Sequence, residues 1–92
     1  MKKIDLRITV QVNKVTGSVS AVYFQIRRGH AKHVKELAEG KAFANYDFQQ
    51  RLLGIELLAP CEVTVLDRLT RGEPAPVKNF LRKSIPREMA IA

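Results

Sequence analysis

Two carboxylates, Asp47 and Glu56, sit in the run YDFQQRLLGIEL at residues 46–57. Paired carboxylates divide acid and base roles when a cleft holds one neutral and leaves the other ionised. These two lie nine residues apart across a short polar turn, which places them on neighbouring strands. A hairpin supplies no cleft. The expected roles are architectural: Asp47 bonds the amides of the turn it begins, and Glu56 pairs with a cation such as Arg7 or Arg51. No residue is assigned a catalytic role, since neither a Ser-His-Asp nor a Cys-His arrangement can be drawn.

The stretch RRGHAKHVK sets His30 and His33 among Arg27, Arg28, Lys32 and Lys35. Two imidazoles can bind zinc, but four adjacent cations oppose a divalent ion, so no metal site is expected. The same charges attract anions. Arg82 and Lys83 form a second basic stretch near the C-terminus. Anion or nucleic-acid contact is therefore expected at Arg27, Arg28, His30, Lys32, Lys35, Arg82 and Lys83, against the alternative of merely solvated cations. No helix-turn-helix, zinc-finger or phosphate-loop signature accompanies them. Cys61 is the only cysteine, which rules out an intrachain disulfide and a thiolate cluster. It is expected as a small apolar residue. No cofactor is implied.

Ninety-two residues suffice for one domain with a small core, which self-association would help to complete. A hydrophobic fraction of 46% with 27% charged residues marks a globular chain. No apolar run is long enough to span a membrane, and charges interrupt the apolar positions of MKKIDLRITV, unlike a signal peptide. The expected setting is bacterial and cytoplasmic. The net charge of +7 is unevenly spread: residues 1–35 carry +7, residues 36–67 carry −4, and residues 68–92 carry +4. Such a distribution suits phosphate, an acidic protein face or a second copy of the chain.

The elements that must position these residues follow from periodicity. In KIDLRITVQV, Ile4, Leu6, Ile8, Val10 and Val12 alternate with polar residues and predict a strand with one dry face. NKVTG is a turn. SVSAVYFQI, residues 18–26, returns as a strand with Val22, Phe24 and Ile26 on one face and Ala21 and Tyr23 on the other. Residues 27–40 leave loop, strand and helix open; the preferred reading is a basic loop around Gly29, then a short edge strand ending at Glu39-Gly40. KAFANY and RLLGIELL predict a hairpin, with Leu53, Ile55 and Leu57 on one face and Leu52, Gly54, Glu56 and Leu58 on the other. EVTVL, residues 62–66, predicts a further strand. Residues 67–75 predict a loop, and Pro76 opens a helix with Val77, Phe80 and Leu81 in helical spacing, stopped by Pro86.

The second hairpin resembles the hallmark of a prokaryotic family, domain of unknown function family 2283, whose members read V-D-Y-D-x-x-G-x-x-V-G-I-E-I-L. Tyr46, Asp47, Gly54, Ile55 and Glu56 match it, with Leu53, Leu57 and Leu58 alike in type. SAVYFQI is similar to the family's D-A-L-Y-I-x-L strand, with Tyr23 as its tyrosine. The resemblance spans about residues 10–60. Asn13, Ser20 and Asn45 stand where the family favours aspartate, so any metal binding or chemistry those aspartates perform is expected to be lost here. Gln50 replaces a turn glycine, so either it takes a costly left-handed backbone or the turn differs. The family implies no transferable activity. Some members are encoded beside genes read as toxins, which implies partner binding, although +7 counts against an antitoxin for a basic ribonuclease.

The expected fold is α+β within one domain over residues 1–92. It has an antiparallel meander of four or five strands in residues 1–66, a loop, and a helix and tail from 76 to 92 packed on one face. The other face, with Ala21, Tyr23, Leu52 and Leu58, is expected to need a second subunit. The function expected is that of a non-enzymatic binding module from a mobile or accessory gene. It would act as a homodimer with a macromolecular partner, through Phe48, Tyr46, Glu56 and Tyr23. The alternatives are a basic nucleic-acid binder, and a small-ligand binder or enzyme with a cleft at Tyr23, Tyr46 and Glu56.

Overall fold

The computed structural model describes residues 3–87. It is an α+β fold of five antiparallel strands with two helices on one face. The strands are β1 (Ile4–Val12), β2 (Val19–Arg27), β3 (His33–Leu37), β4 (Ala42–Tyr46) and β5 (Leu52–Leu58). The helices are α1 (Thr64–Leu69) and α2 (Ala75–Ser84). The tail expected after Pro86 runs into residues 88–92, outside the described residues.

The sheet order is β1-β2-β5-β4-β3. Three connections join neighbours, and one interrupts the meander: after β2 the chain crosses to the far edge, forms β3, and returns through β4 to insert β5 beside β2. The expected edge strand after Gly29 is therefore present, as β3. The first turn forms as its residues require. The Asn13 side-chain oxygen accepts from the amides of Val15 and Thr16 at 2.9 and 3.1 Å, and Gly17 takes a φ of 75°.

The core lies between the sheet and the helices. Val22, Phe24 and Ile26 of β2 are fully buried there with Ala42, Ala44, Ile55 and Leu57. Val77 and Leu81 of α2 reach them, and the Phe80 ring meets Phe24 edge-on with centroids 6.4 Å apart. Pro74 precedes α2 with an extended backbone and Pro76 occupies its first turn, where a missing N–H costs nothing.

Two expectations are corrected. Residues 62–66 do not form a strand; Thr64 begins α1, which buries Val65 and Leu66. Both flanks of β5 are already occupied by β2 and β4, so a strand following it directly would find no free edge beside it. The helical spacing of Val65, Leu66 and Leu69 prevails over their β propensity. The faces of β5 also differ from strict alternation. Asn45 lies opposite Gly54 but Tyr46 lies opposite Leu52, which leaves Leu53 as an extra residue in a bulge. Leu52 thus joins Ile55 and Leu57 in the core, and Leu53 is buried on the opposite face beside Tyr23 and Asn45.

That opposite, open face is less apolar at its surface than alternation suggested. Ala21 and Leu53 are buried by their neighbours, and Tyr23, Phe43 and Leu58 are half-buried. A row of exposed aliphatic side chains lies instead along β1, on its helix side. Ile8, Val10 and Val12 are 37%, 42% and 51% exposed, whereas Leu6 in the same row packs against the core.

Candidate functional site

Strand register places Tyr23 and Phe43 on either side of Glu56 at the centre of the open face. The Tyr23 phenol leans over Gly54, and the Asn45 side-chain amide reaches its hydroxyl at 3.5 Å. Glu56 makes no ion pair with Arg7 or Arg51; Arg7 turns to Asp5 instead. The Glu56 carboxylate therefore stands between two half-buried rings with no cation beside it among the described residues.

Asp47 lies elsewhere. Its Oδ1 accepts from the amides of Gln49 and Arg51, both at 2.9 Å, and its own amide donates to the Arg51 carbonyl. The turn role is as expected, but the side chain is 1% exposed rather than solvated. Phe43, four residues before Asp47, is the one opposite Glu56. Four strand residues separate the two acids by roughly 13 Å. They do not converge on one reacting atom.

The proposed cleft residues also part company. Tyr23 and Glu56 share the open face, whereas Tyr46 alternates with Ala42 and Ala44 and so faces the helix side. Burial, and then the negative charge of Glu73, raise its hydroxyl pKa above the ordinary value. Phe48, in the turn, is 70% exposed.

Three of the expected anion-binding cations have carboxylate partners. Arg27 bonds Glu73 through two nitrogens at 2.6 and 3.2 Å and also donates to the Leu52 carbonyl at 2.9 Å. Both side chains are mostly buried. This pair fastens the loop between α1 and α2 to the end of β2. Arg28 and Arg7 share Asp5, at 2.8 and 3.4 Å. Desolvation pushes the Asp5 carboxyl up, but the Arg7 hydrogen bond and the charges of Arg7 and Arg28 outweigh it, so its pKa is lowered overall. Arg82 bonds Asp67 at 2.9 Å on the exposed surface of the helices. His30 and Lys32 are exposed in the loop before β3, and Lys83 is exposed on α2.

Lys35 has a different setting. With His33 and Leu37 it lies on the helix side of β3, in the row of Tyr46, Ala44 and Ala42. There it lines two adjoining open hollows of about 440 and 240 Å³. His33, Tyr46 and Gln50 line the first, and Leu37, Tyr46, Arg68, Leu69 and Arg71 the second. No family model, no curated protein and no solved structure matches the chain. Arg68 and Arg71 were missed from sequence because DRLTRG looked like a linker; a helix starting at Thr64 would have placed them one turn apart at its end.

Cys61 is buried against the helices, and burial, then Glu62, raise its thiol pKa, with Lys41 opposing. It is a core residue with little thiolate character. Among the described residues no helix is long and apolar enough to cross a membrane.

Proposed function

We propose that the protein is a non-enzymatic binding module that works as a homodimer on a macromolecular partner, with β1 as its dimer strand. The observation that carries this reading is the state of the two sheet edges. β3 is five residues long and displays His33, Lys35 and Glu36, which discourage strand addition. β1 is nine residues long, contains no proline or lysine, and exposes Ile8, Val10 and Val12 in a row. Such an edge offers unpaired amides and carbonyls to another strand, with apolar surface beside them.

A second copy fits this edge. In a two-fold antiparallel register centred on Ile8, Leu6 faces Val10, Arg7 faces Thr9 and Asp5 faces Gln11 of the other strand. No like charges meet. The product is a continuous sheet of ten strands whose two rows of aliphatic side chains adjoin. The separation of Asp47 from Glu56, and the structural duty of Asp47, favour binding over catalysis. The resemblance to family 2283 fits the same reading, since the shared Tyr23, Gly54 and Asp47 all serve the sheet.

Sedimentation at micromolar concentration tests this. A dimer is expected for the natural chain, and a folded monomer for Val10→Lys. A natural chain that sediments as a monomer overturns the proposal, as does a Val10→Lys variant that remains dimeric.

A further inference from the structure

We infer that the groove between β3 and α1 is a binding site for single-stranded nucleic acid, with Lys35, Arg68 and Arg71 contacting phosphates and Tyr46 a base. This goes beyond the dimer reading and uses the opposite end of the sheet. Three observations carry it.

First, the cations of this groove are available. Lys35, Arg68 and Arg71 are exposed, and among the described residues none has a carboxylate partner. The acids that could have served are engaged: Glu73 holds Arg27, and Asp67 holds Arg82. Glu36 sits on the other face of β3, opposite Phe43. By contrast, Arg27 and Arg82 each have a carboxylate of their own, and Arg7 and Arg28 share that of Asp5.

Second, the charges come from three separate parts of the chain. Lys35 is on β3, Arg68 ends α1, and Arg71 follows in the next loop. The Arg27–Glu73 pair fixes that loop against the sheet, two residues from Arg71. The cluster is thus a product of the fold and not of a basic run.

Third, the shape suits a strand better than a small anion. The two hollows share Lys35 and Tyr46 and so form one open trough. Its floor is half-buried Leu37, Tyr46 and Leu69, and its rim is cationic with His33 and Gln50 at one end. An aromatic and aliphatic floor accepts the flat face of a base, and a cationic rim accepts the phosphates on either side of it. In a duplex the bases are stacked inside and cannot reach such a floor. An enclosed pocket would be needed to hold a free phosphate or nucleotide tightly.

The test is fluorescence anisotropy of the full chain with labelled single-stranded RNA and DNA of about ten nucleotides. Duplex DNA of matching sequence and polyglutamate serve as comparison probes. Single strands are expected to bind, with affinity falling as salt rises. Arg68→Gln with Arg71→Gln should weaken binding at least tenfold and flatten the salt slope by about 1.4, at roughly 0.7 for each phosphate no longer neutralised. Tyr46→Leu should weaken single-strand binding without changing that slope. Lys14→Gln, in the exposed turn between β1 and β2 at the other edge of the sheet, should change neither. Circular dichroism establishes that each variant is folded; should Tyr46→Leu fail to fold, Lys35→Gln takes its place, with a slope change of about 0.7 expected. Equal binding of duplex or polyglutamate, loss of binding with Lys14→Gln alone, or no binding of single strands at low salt would overturn the assignment.

Discussion

The Tyr23 phenol occupies the space that a side chain at Gly54 would need. A Cβ built on Gly54 collides with the Tyr23 hydroxyl and the ring carbon bearing it, and lies 2.8 Å from the Phe24 carbonyl. The glycine of the G-I-E run is thus set by close approach of a ring, with its neighbour strand tight behind. Gly54→Ala is expected to destabilise the fold by about 1–3 kcal/mol. In a Tyr23→Ala background the same change should cost less, because the ring is gone while the carbonyl stays in place. Urea denaturation of the four proteins in this cycle measures the coupling; additive effects would show that the phenol is not the obstacle.

Among the described residues, the ion pair of Arg27 and Glu73 is the one side-chain polar fastening between the sheet and the loop joining the helices that is mostly screened from water. Its side chains are 13% and 14% exposed, and Arg27 also donates to the Leu52 carbonyl. Glu73→Gln leaves the guanidinium in place with a weaker acceptor and is expected to cost about 1–3 kcal/mol. Replacing both partners, as Arg27→Met with Glu73→Leu, should cost less than the sum of the single changes. Chemical denaturation reads both. A Glu73→Gln protein as stable as the natural one would mean that the pair is solvent-dominated.

Strand periodicity made much of this architecture legible. The alternation from Ile4 to Val12, and Val22, Phe24 and Ile26 on one face of β2, are local patterns that the sheet simply completes. The helix beginning near Pro76 is of the same kind. What could not be read was set by partners distant in sequence. Whether Leu52 or Leu53 faces the core depends on a bulge against Asn45 and Tyr46. Whether Val63 to Leu66 extend or coil depends on which sheet edges are free. The charges were visible as residues, yet their availability was not, since Asp5, Glu73 and Asp67 choose their arginines through space. The Lys35, Arg68 and Arg71 cluster exists only once α1 lies beside β3.

Gln50 shows a cost that the sequence did announce. It adopts a φ of 63° in the turn between β4 and β5, where the resembling family places glycine. The left-handed backbone crowds a Cβ against the carbonyl, and glycine removes the crowding at some cost in chain entropy. Gln50→Gly should stabilise the protein by about 0.5–1 kcal/mol, read as a higher melting temperature. An unchanged or lower melting temperature would indicate that the Gln50 side chain contributes a compensating interaction.

Stability should fall at high pH more than surface charge alone dictates. Folding raises the Cys61 thiol above its ordinary 9.0, through burial and then Glu62, and raises the Tyr46 hydroxyl above its ordinary 10.0, through burial and then Glu73. Both groups are favoured in their neutral forms, so their contribution is complete below the ordinary values and is lost as pH rises through the folded ones. Asp5 acts in the opposite sense: its lowered pKa gives support above about its ordinary 3.8 that disappears as pH falls through the folded value. Denaturation curves at pH 8 and pH 10.5 should therefore differ, with the midpoint lower at the higher pH. Cys61→Ala should lose stability at both pH values, through the cavity it leaves, while showing a smaller difference between them. If the variant and the natural chain respond identically to alkali, the Cys61 thiol is not the group being titrated, and the loss belongs to Tyr46 or to the surface lysines.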